Sequence, residues 1–363
     1  MSVSAAGFDN LVVVFGPDAV AHPPTAEELL AQAMTRRGVT GELVRTADTA
    51  EFRSAVRAAP TDCVVVPGFS NLPELSGSTV IRVDFDTRAL DLAAGVRAHI
   101  RGRGLDGLRF AVDSWYFHRA HPATVRPYGE HPWQRIELRI PPGPGPFPVA
   151  VLIHGGYWKR WWDSDLMDAL AVDLTARGIA TCNVEYRRPA THGWAATTMD
   201  VTTAFGVLAS IPALDLDRIV VFGHSAGGQL ALRLGADTAR ATVRPSLLVS
   251  LAGVLDLRIA DQRWLGDGAV SAALGHRYSP TSTAAEIYRQ SSPAERLPIG
   301  IPQLVVCGRD DDPDLREISN HYALRAAAAG DRVQTLEVSG DHWSVIDPDS
   351  EIWCRIREYA SIP

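Results

Sequence analysis

A serine flanked by small residues is the first feature of this sequence that could do chemistry. The segment GHSAG (residues 223–227) lies between the apolar run RIVVF (218–222) and a segment with the apolar spacing of a helix. A strand that passes into a helix through such a segment turns sharply at the serine, and the flanking glycines leave room because they lack a Cβ. The helix N terminus directs its amides toward the same point. Ser225 is therefore the candidate nucleophile.

A serine hydroxyl needs a base, and the best candidate among the eleven histidines is His342. It lies in VSGDHWSVIDP (338–348), just after the last predicted strand, from which a loop can reach back over the sheet edge. His224 is expected to be too close to Ser225 along the chain to fold back onto it. His276 and His321 have no supporting pattern.

Three consecutive aspartates could orient that base. Asp310, Asp311 and Asp312 follow the buried-looking run PQLVVCG (302–308), and any of them could fix the imidazole tautomer. The order serine, aspartate, histidine along the chain is typical of enzymes with a nucleophile on a strand-to-helix turn. Asp312 could instead cap the helix that follows.

The segment HGGYW (154–158) at the end of another predicted strand could supply hydrogen-bond donors to a developing oxyanion. Its glycines permit close approach of a substrate, and the amide of Ala226 is expected to converge on the same point. His154 is expected to orient this loop by hydrogen bonding. Of the nearby tryptophans, Trp158 and Trp343 are predicted to line the substrate pocket.

Composition and charge narrow the possible partners. The 363-residue chain has a net charge of −7, a pI of about 5.9 and no cluster of Lys and Arg, which argues against nucleic acid or anionic membranes as partners. No apolar run is long enough to span a bilayer, and the first residues do not resemble a signal peptide. The four cysteines are scattered without metal-binding spacing, so we expect reduced thiols, a cytoplasmic location, no metal and no cofactor.

The order of predicted elements favours the α/β class with two domains. Strands are predicted at 11–15, 63–67 and 79–85, with helices between them and a helix over 88–104, which together make a small parallel sheet domain over residues 1–118. A proline-rich segment, 119–133, is predicted to be a linker.

Strands and helices alternate again from residue 134 to residue 363, which predicts a mostly parallel sheet. Residues 257–291 interrupt this alternation and are expected to form part of a lid.

The second domain resembles an α/β-hydrolase of the esterase/lipase and kynurenine formamidase-like group. The resemblance rests on HGGYW, NVEYRR, GHSAGG, LAGVLDL and GDHWSVIDP, which occur in that order over about 240 residues. It implies a mostly parallel sheet of eight strands. It also implies that the acid is Asp311, the third residue after Gly308, and that Gly156 and Tyr157 supply oxyanion-hole amides.

The first domain more faintly resembles a type II dehydroquinase and is therefore expected to have a flavodoxin-like sheet. VVVFGPDA, VVVPGF and IRVDFDT are similar to motifs of that family. The motif asparagine is replaced by Val66, a motif histidine is replaced near Asp84, and no loop carries a catalytic tyrosine. The resemblance therefore implies an inactive domain, and because the family assembles from trimers it implies a homo-oligomer.

These features predict a serine hydrolase, a carboxylesterase or an arylformamidase-like enzyme, that cleaves an ester or aryl-amide bond of a small molecule through an acyl-enzyme on Ser225. The same acyl-enzyme could serve an acyltransferase or a thioesterase, which partitioning of product to an added nucleophile would reveal. A bifunctional enzyme with a dehydratase domain is the other alternative, and dehydroquinate turnover would support it.

Overall fold

The computed structural model of the chain describes residues 10–19, 21–60, 62–69, 79–87, 95–280 and 284–360. The chain divides into two compact units, residues 1–122 and 123–363.

The first unit contains a five-stranded sheet in which every paired strand is parallel to its neighbour. Its strands are β1 (Leu11–Phe15), β2 (Gly41–Arg45), β3 (Cys63–Val66), β4 (Val80–Asp84) and β5 (Val96–Arg101). Its α-helices are α1 (Pro23–Arg37), α2 (Thr49–Ala58) and α3 (Gly107–Ala120). The strands are arranged in the order β2-β1-β3-β4-β5.

Helices cover both faces of this sheet. Alternate residues of β1 point to opposite sides, so Val13 joins a cluster with residues of α1 and α3, whereas Val14 packs with Phe52 of α2. Both faces are buried, which explains why the strands of this unit read as continuous apolar runs.

The helix predicted over residues 88–104 is wrong where the structure describes it. Residues 88–94 lie outside the described part of the chain, and Val96–Arg101 forms strand β5, parallel to β4. Apolar Val96, Ala98 and Ile100 alternate with polar residues, which is the two-residue period of a strand. The alternation covers only six residues, too few to stand out from the helical pattern assigned to the longer segment.

The second unit contains an eight-stranded sheet. Its strands are β6 (Thr124–Pro127), β7 (Arg135–Arg139), β8 (Phe147–Ile153), β9 (Ala180–Val184), β10 (Leu214–His224), β11 (Leu247–Leu251), β12 (Gln303–Gly308) and β13 (Val333–Val338), in the order β13-β12-β11-β10-β8-β9-β7-β6. β8 to β13 are parallel, and β6 and β7 are antiparallel to their neighbours. The prediction of a mostly parallel eight-stranded sheet is confirmed.

Helices flank this sheet and complete its core. They are α4 (Asp168–Ala176), α5 (Pro189–His192), α6 (Trp194–Val207), α7 (Ala226–Thr238), α8 (Leu257–Gln262), α9 (Leu265–Leu274), α10 (Ala284–Ser291), α11 (Pro313–Ala328) and α12 (Glu351–Tyr359). Leu230 and Leu234 of α7 pack into the main apolar cluster, while Trp353 of α12 contacts the Phe222 ring of β10.

The segment predicted as a linker, 119–133, is partly structured. Its first two residues end α3, and Thr124–Pro127 pairs with β7 as the edge strand β6. The prolines of this segment argued against a strand. An edge strand nevertheless tolerates proline, because it pairs on one side only and the N–H groups of its other side need no partner strand.

The segment predicted to belong to a lid contains α8, α9 and α10. At the start of α9 the backbone of Trp264, Gly266, Asp267 and Gly268 has positive φ. Within the described residues, no helix has the length and apolar character needed to cross a membrane.

Candidate active site

Ser225 lies on a strained turn between β10 and α7. Its φ is 54° and its ψ −118°, a backbone conformation that a residue with a side chain rarely adopts. A Cβ at Gly223 would overlap the Gly227 carbonyl, and a Cβ at Gly227 would overlap the Ile153 carbonyl of β8. The sharp turn predicted from GHSAG is therefore confirmed, and the glycines are required by close backbone contacts.

His342 lies beside one of the three candidate aspartates. Its Nδ1 is 3.0 Å from both carboxylate oxygens of Asp311, and Asp311 is 5% exposed. The Asp310 carboxylate instead accepts the Gly340 amide at 3.1 Å, and Asp312 caps α11 by accepting the Asp314 amide at 2.8 Å. The geometry therefore singles out Asp311 as the partner of the histidine.

The Ser225 hydroxyl and His342 share this end of the sheet but make no hydrogen bond to each other among the described contacts. The His342 ring lies 4.8 Å, centroid to centroid, from the ring of His224, which precedes Ser225 in the chain. Catalytic hydrogen bonds are commonly long or poorly aligned before substrate binds, so the absence of this bond does not exclude the two residues from acting together.

The His-Gly-Gly loop after β8 lies against the nucleophile. A Cβ at Gly155 would come within 2.8 Å of the Ser225 Cβ, and the loop continues through positive φ at Gly156 (102°) and Tyr157 (52°). Among the described residues, no acceptor receives a hydrogen bond from the backbone amides of Gly156, Tyr157 or Ala226. Unused amides next to a serine are what stabilisation of an oxyanion requires.

A fully buried ion pair stands behind this loop. The Arg188 guanidinium lies 2.6 Å from the Glu185 carboxylate and 3.2 Å from His154 Nε2, and all three side chains are completely buried. The His154 ring also stacks on Tyr186 at 4.4 Å, and the Tyr186 hydroxyl donates to the His154 carbonyl. Sequence reasoning assigned no role to this pair. The sequence feature that could have revealed the pair is a Glu followed three residues later by an Arg, just after an apolar strand.

The pair connects the two ends of the loop. Arg188 donates to the Trp162 carbonyl at 2.6 Å, and Glu185 accepts the Ser164 amide at 2.9 Å. Burial alone would raise the pKa of Glu185, but the Arg188 guanidinium and the His154 ring outweigh it and hold that pKa well below its usual range. The carboxylate therefore stays ionised, and the loop is held from behind by charge-assisted hydrogen bonds.

The predicted role of Trp158 in the pocket is wrong in this structure. Trp158 is 1% exposed and packs edge-to-face against Trp194 in the apolar core, and its backbone has positive φ. Trp343 is 36% exposed, and its ring lies 5.5 Å from that of Trp162. The Trp162 ring in turn covers the Cα of Gly156, so an aromatic surface reaches from the loop to His342.

Tyr157 joins the same loop to the start of α9. Its ring packs against Gly266, where a Cβ would come within 2.8 Å of it, and Lys159 Nζ donates to the Gly266 carbonyl at 3.1 Å. Burial, with Asp312 and Asp311 nearby, raises the pKa of Tyr157 to about 12, so its phenol is neutral.

Comparison with known proteins identifies the family. Residues 150–345, more than half of the chain, match a family with the α/β-hydrolase fold. The chain belongs to this α/β-hydrolase family. The match covers the His-Gly-Gly loop, Ser225, Asp311 and His342.

One relative and two similar structures are esterases by name. Esterase LipC of Mycobacterium tuberculosis is 30% identical over 117 residues, and the match covers 30% of this chain and 28% of that protein, so this chain spans less than a third of its length. Esterase B from Lactobacillus rhamnosis has a TM-score of 0.56 at 17% identity, covering 66% of this chain and 84% of that one. A bacterial heroin esterase has a TM-score of 0.54 at 21% identity, covering 66% and 82%. At these identities the structural matches identify the fold.

Replacing the acid next to His342 tests its assignment. Asp311→Asn is expected to lower kcat for p-nitrophenyl butyrate by a factor on the order of 10⁴, because an amide does not hold the imidazole in the required tautomer. Asp310→Asn and Asp312→Asn serve as matched controls and are expected to have far smaller effects. A larger loss in Asp312→Asn than in Asp311→Asn would contradict the assignment.

The buried ion pair is expected to matter for stability. Glu185→Gln leaves Arg188 without its closest carboxylate in the core, and this should lower the free energy of unfolding in urea by about 3–5 kcal/mol. Glu286→Gln breaks the exposed Glu286–Arg289 pair and should lower the free energy of unfolding far less, because solvent screens an exposed ion pair. Equal losses in the two variants would show that the buried pair does not support the loop as described.

Proposed function

We propose that this protein is a serine hydrolase that cleaves an ester bond of a small molecule through an acyl-enzyme on Ser225. The observation that carries the proposal is the pairing of His342 with Asp311 at 3.0 Å, at the same end of the sheet as a serine on a positive-φ turn. The unused amides beside that serine add the second requirement of acyl transfer.

In the proposed mechanism the Ser225 oxygen attacks the substrate carbonyl carbon while His342 Nε2 takes the hydroxyl proton. The imidazolium then gives this proton to the departing alcohol oxygen, and the ester C–O bond breaks. Asp311 accepts from Nδ1–H and stabilises the charged ring. Water, activated by the same histidine, attacks the acyl-enzyme, releases the acid and restores the serine.

The amides of Gly156, Tyr157 and Ala226 are proposed to stabilise the negative charge on the carbonyl oxygen. Loss of one such donor typically costs about 3 kcal/mol of transition-state stabilisation.

We propose an apolar or aromatic group on the substrate. The aromatic surface of Trp162 and Trp343 lies between the proposed oxyanion loop and the proposed base, and such rings bind flat apolar groups. The esterases among the relatives favour an ester over an aryl amide. Comparing p-nitrophenyl esters of graded length with N-formylkynurenine distinguishes the esterase from the arylformamidase-like form of the proposal.

A fluorophosphonate probe tests the nucleophile and the base. The probe should label the wild-type protein and Ser210→Ala, which removes an exposed hydroxyl, but not Ser225→Ala. Ser225→Ala and His342→Ala should each lower kcat for p-nitrophenyl butyrate by a factor on the order of 10³ to 10⁶. Labelling of Ser225→Ala at the wild-type rate would contradict the mechanism.

For the first unit we propose a flavodoxin-like domain related to type II dehydroquinases but without their activity. Support for the fold comes from the strand order β2-β1-β3-β4-β5, which is that of flavodoxin-like sheets. Support for inactivity comes from Asp84, near the position of the missing histidine. Its carboxylate accepts hydrogen bonds from Arg82 at 2.6 and 3.0 Å and lies 2.6 Å from His99 Nε2.

We further propose that the full chain forms a homo-oligomer through this unit. Sedimentation equilibrium should then give a mass at least twice that of one chain, which is 39.2 kDa. A single species of 39.2 kDa at micromolar concentration would contradict the proposal.

A cytoplasmic location is part of the proposal. Its support is that all four cysteines are unpaired and three of them are buried, as expected for a protein of a reducing compartment.

A further inference from the structure

His224 connects the turn that carries Ser225 to the loop that carries His342. Its Nε2 lies 3.0 Å from the main-chain carbonyl oxygen of His342, 118 positions later in the chain. A carbonyl oxygen can only accept, so Nε2 carries the proton and donates it. The side chain of His224 is 1% exposed, whereas the loop it holds lies at the surface.

The rest of the loop is held at other points. Gly340 exchanges two hydrogen bonds with Asp310, and the Asp341 carboxylate accepts the amides of Trp343 and Ser344. These bonds shape the chain on either side of His342. Among the described contacts, the His342 carbonyl itself has one donor, which is His224.

His224 also touches the His-Gly-Gly loop. A Cβ at Gly155 would come within 2.9 Å of its Nδ1, and this nitrogen is buried and has no hydrogen-bond partner among the described residues. Protonating Nδ1 would place a charged N–H against a backbone with no acceptor for it. Burial and the neighbouring His342 ring accordingly keep the pKa of His224 well below its usual range, so the ring stays neutral.

A neutral imidazole with a fixed tautomer is a constant donor. When His342 gains and loses a proton during turnover, the Nε2–H of His224 keeps the same acceptor, since that acceptor is a backbone carbonyl. The bond therefore restrains the backbone from which the His342 side chain extends, while Asp311 restrains the ring.

We propose that His224 is a positioning residue for the base: its Nε2–H holds the main-chain carbonyl of His342 and thereby keeps the His342 ring within reach of both Asp311 and Ser225. The inference rests on the proposed roles of Ser225 and His342. It assigns His224 no contact with substrate and no proton transfer.

Three substitutions separate positioning from packing. Gln at position 224 can place an amide N–H near the position of imidazole Nε2, whereas the shorter Asn cannot reach it, and Phe keeps the ring without any donor. We expect kcat for p-nitrophenyl butyrate to fall about tenfold in His224→Asn and His224→Phe, the effect of losing one hydrogen bond, and to be largely retained in His224→Gln. KM should change little in all three, because the bond does not touch substrate. His321→Gln, at an exposed position on α11, is the control.

The outcomes distinguish this inference from the proposed function. If the fluorophosphonate labels the wild-type protein at Ser225 and the Asn and Gln variants have equal kcat, His224 is not a positioning residue, although the hydrolase proposal stands. If the wild-type protein is not labelled, the hydrolase proposal itself fails. His224→Asn and His224→Gln both place an amide side chain at this buried position. The comparison of their kcat values therefore tests the inference even if His224→Phe prevents folding. Rescue of kcat by Gln, with equal Tm values for the Asn and Gln variants, supports positioning.

Discussion

The close approach of helix α7 to the sheet is the constraint on which the site depends. The first turn of α7 lies so near β8 and β10 that Gly223 and Gly227 leave no space for a Cβ. The chain enters the helix through positive φ at Ser225. The turn raises the serine above the carboxyl end of the sheet, and the amide of Ala226 comes with it.

The other parts of the site collect around this point because parallel strands end at the same edge. The His-Gly-Gly loop follows β8, the Asp311 loop follows β12, and the His342 loop follows β13. Strained backbone persists only where its surroundings hold it in place. Here Glu185 and Arg188 hold the first loop from behind, while His224 and Asp311 hold the last one.

Much of the fold could be predicted because it depends on local periodicity. The strands of the second unit are short apolar runs followed by helical spacing, and their alternation requires a mostly parallel sheet. The prediction was wrong where a pattern was short or interrupted. Val96–Arg101 offered only six alternating residues, and prolines concealed the edge strand Thr124–Pro127.

The amino-acid order by itself determined the α/β-hydrolase fold, the turn at Ser225, and His342 as the candidate base. These depend on residues adjacent in the chain and on the order of motifs. The family resemblance already implied Asp311, although the residues alone left Asp310 and Asp312 open. Only the tertiary structure decided that the Asp311 carboxylate lies beside His342, that Trp158 is buried, and that His224 bonds to the His342 loop. The physical reason is that each of these outcomes depends on which groups approach within hydrogen-bond or packing distance across the folded chain. The periodicity of the sequence predicts helices and strands, but it does not predict these contacts between residues far apart in the chain.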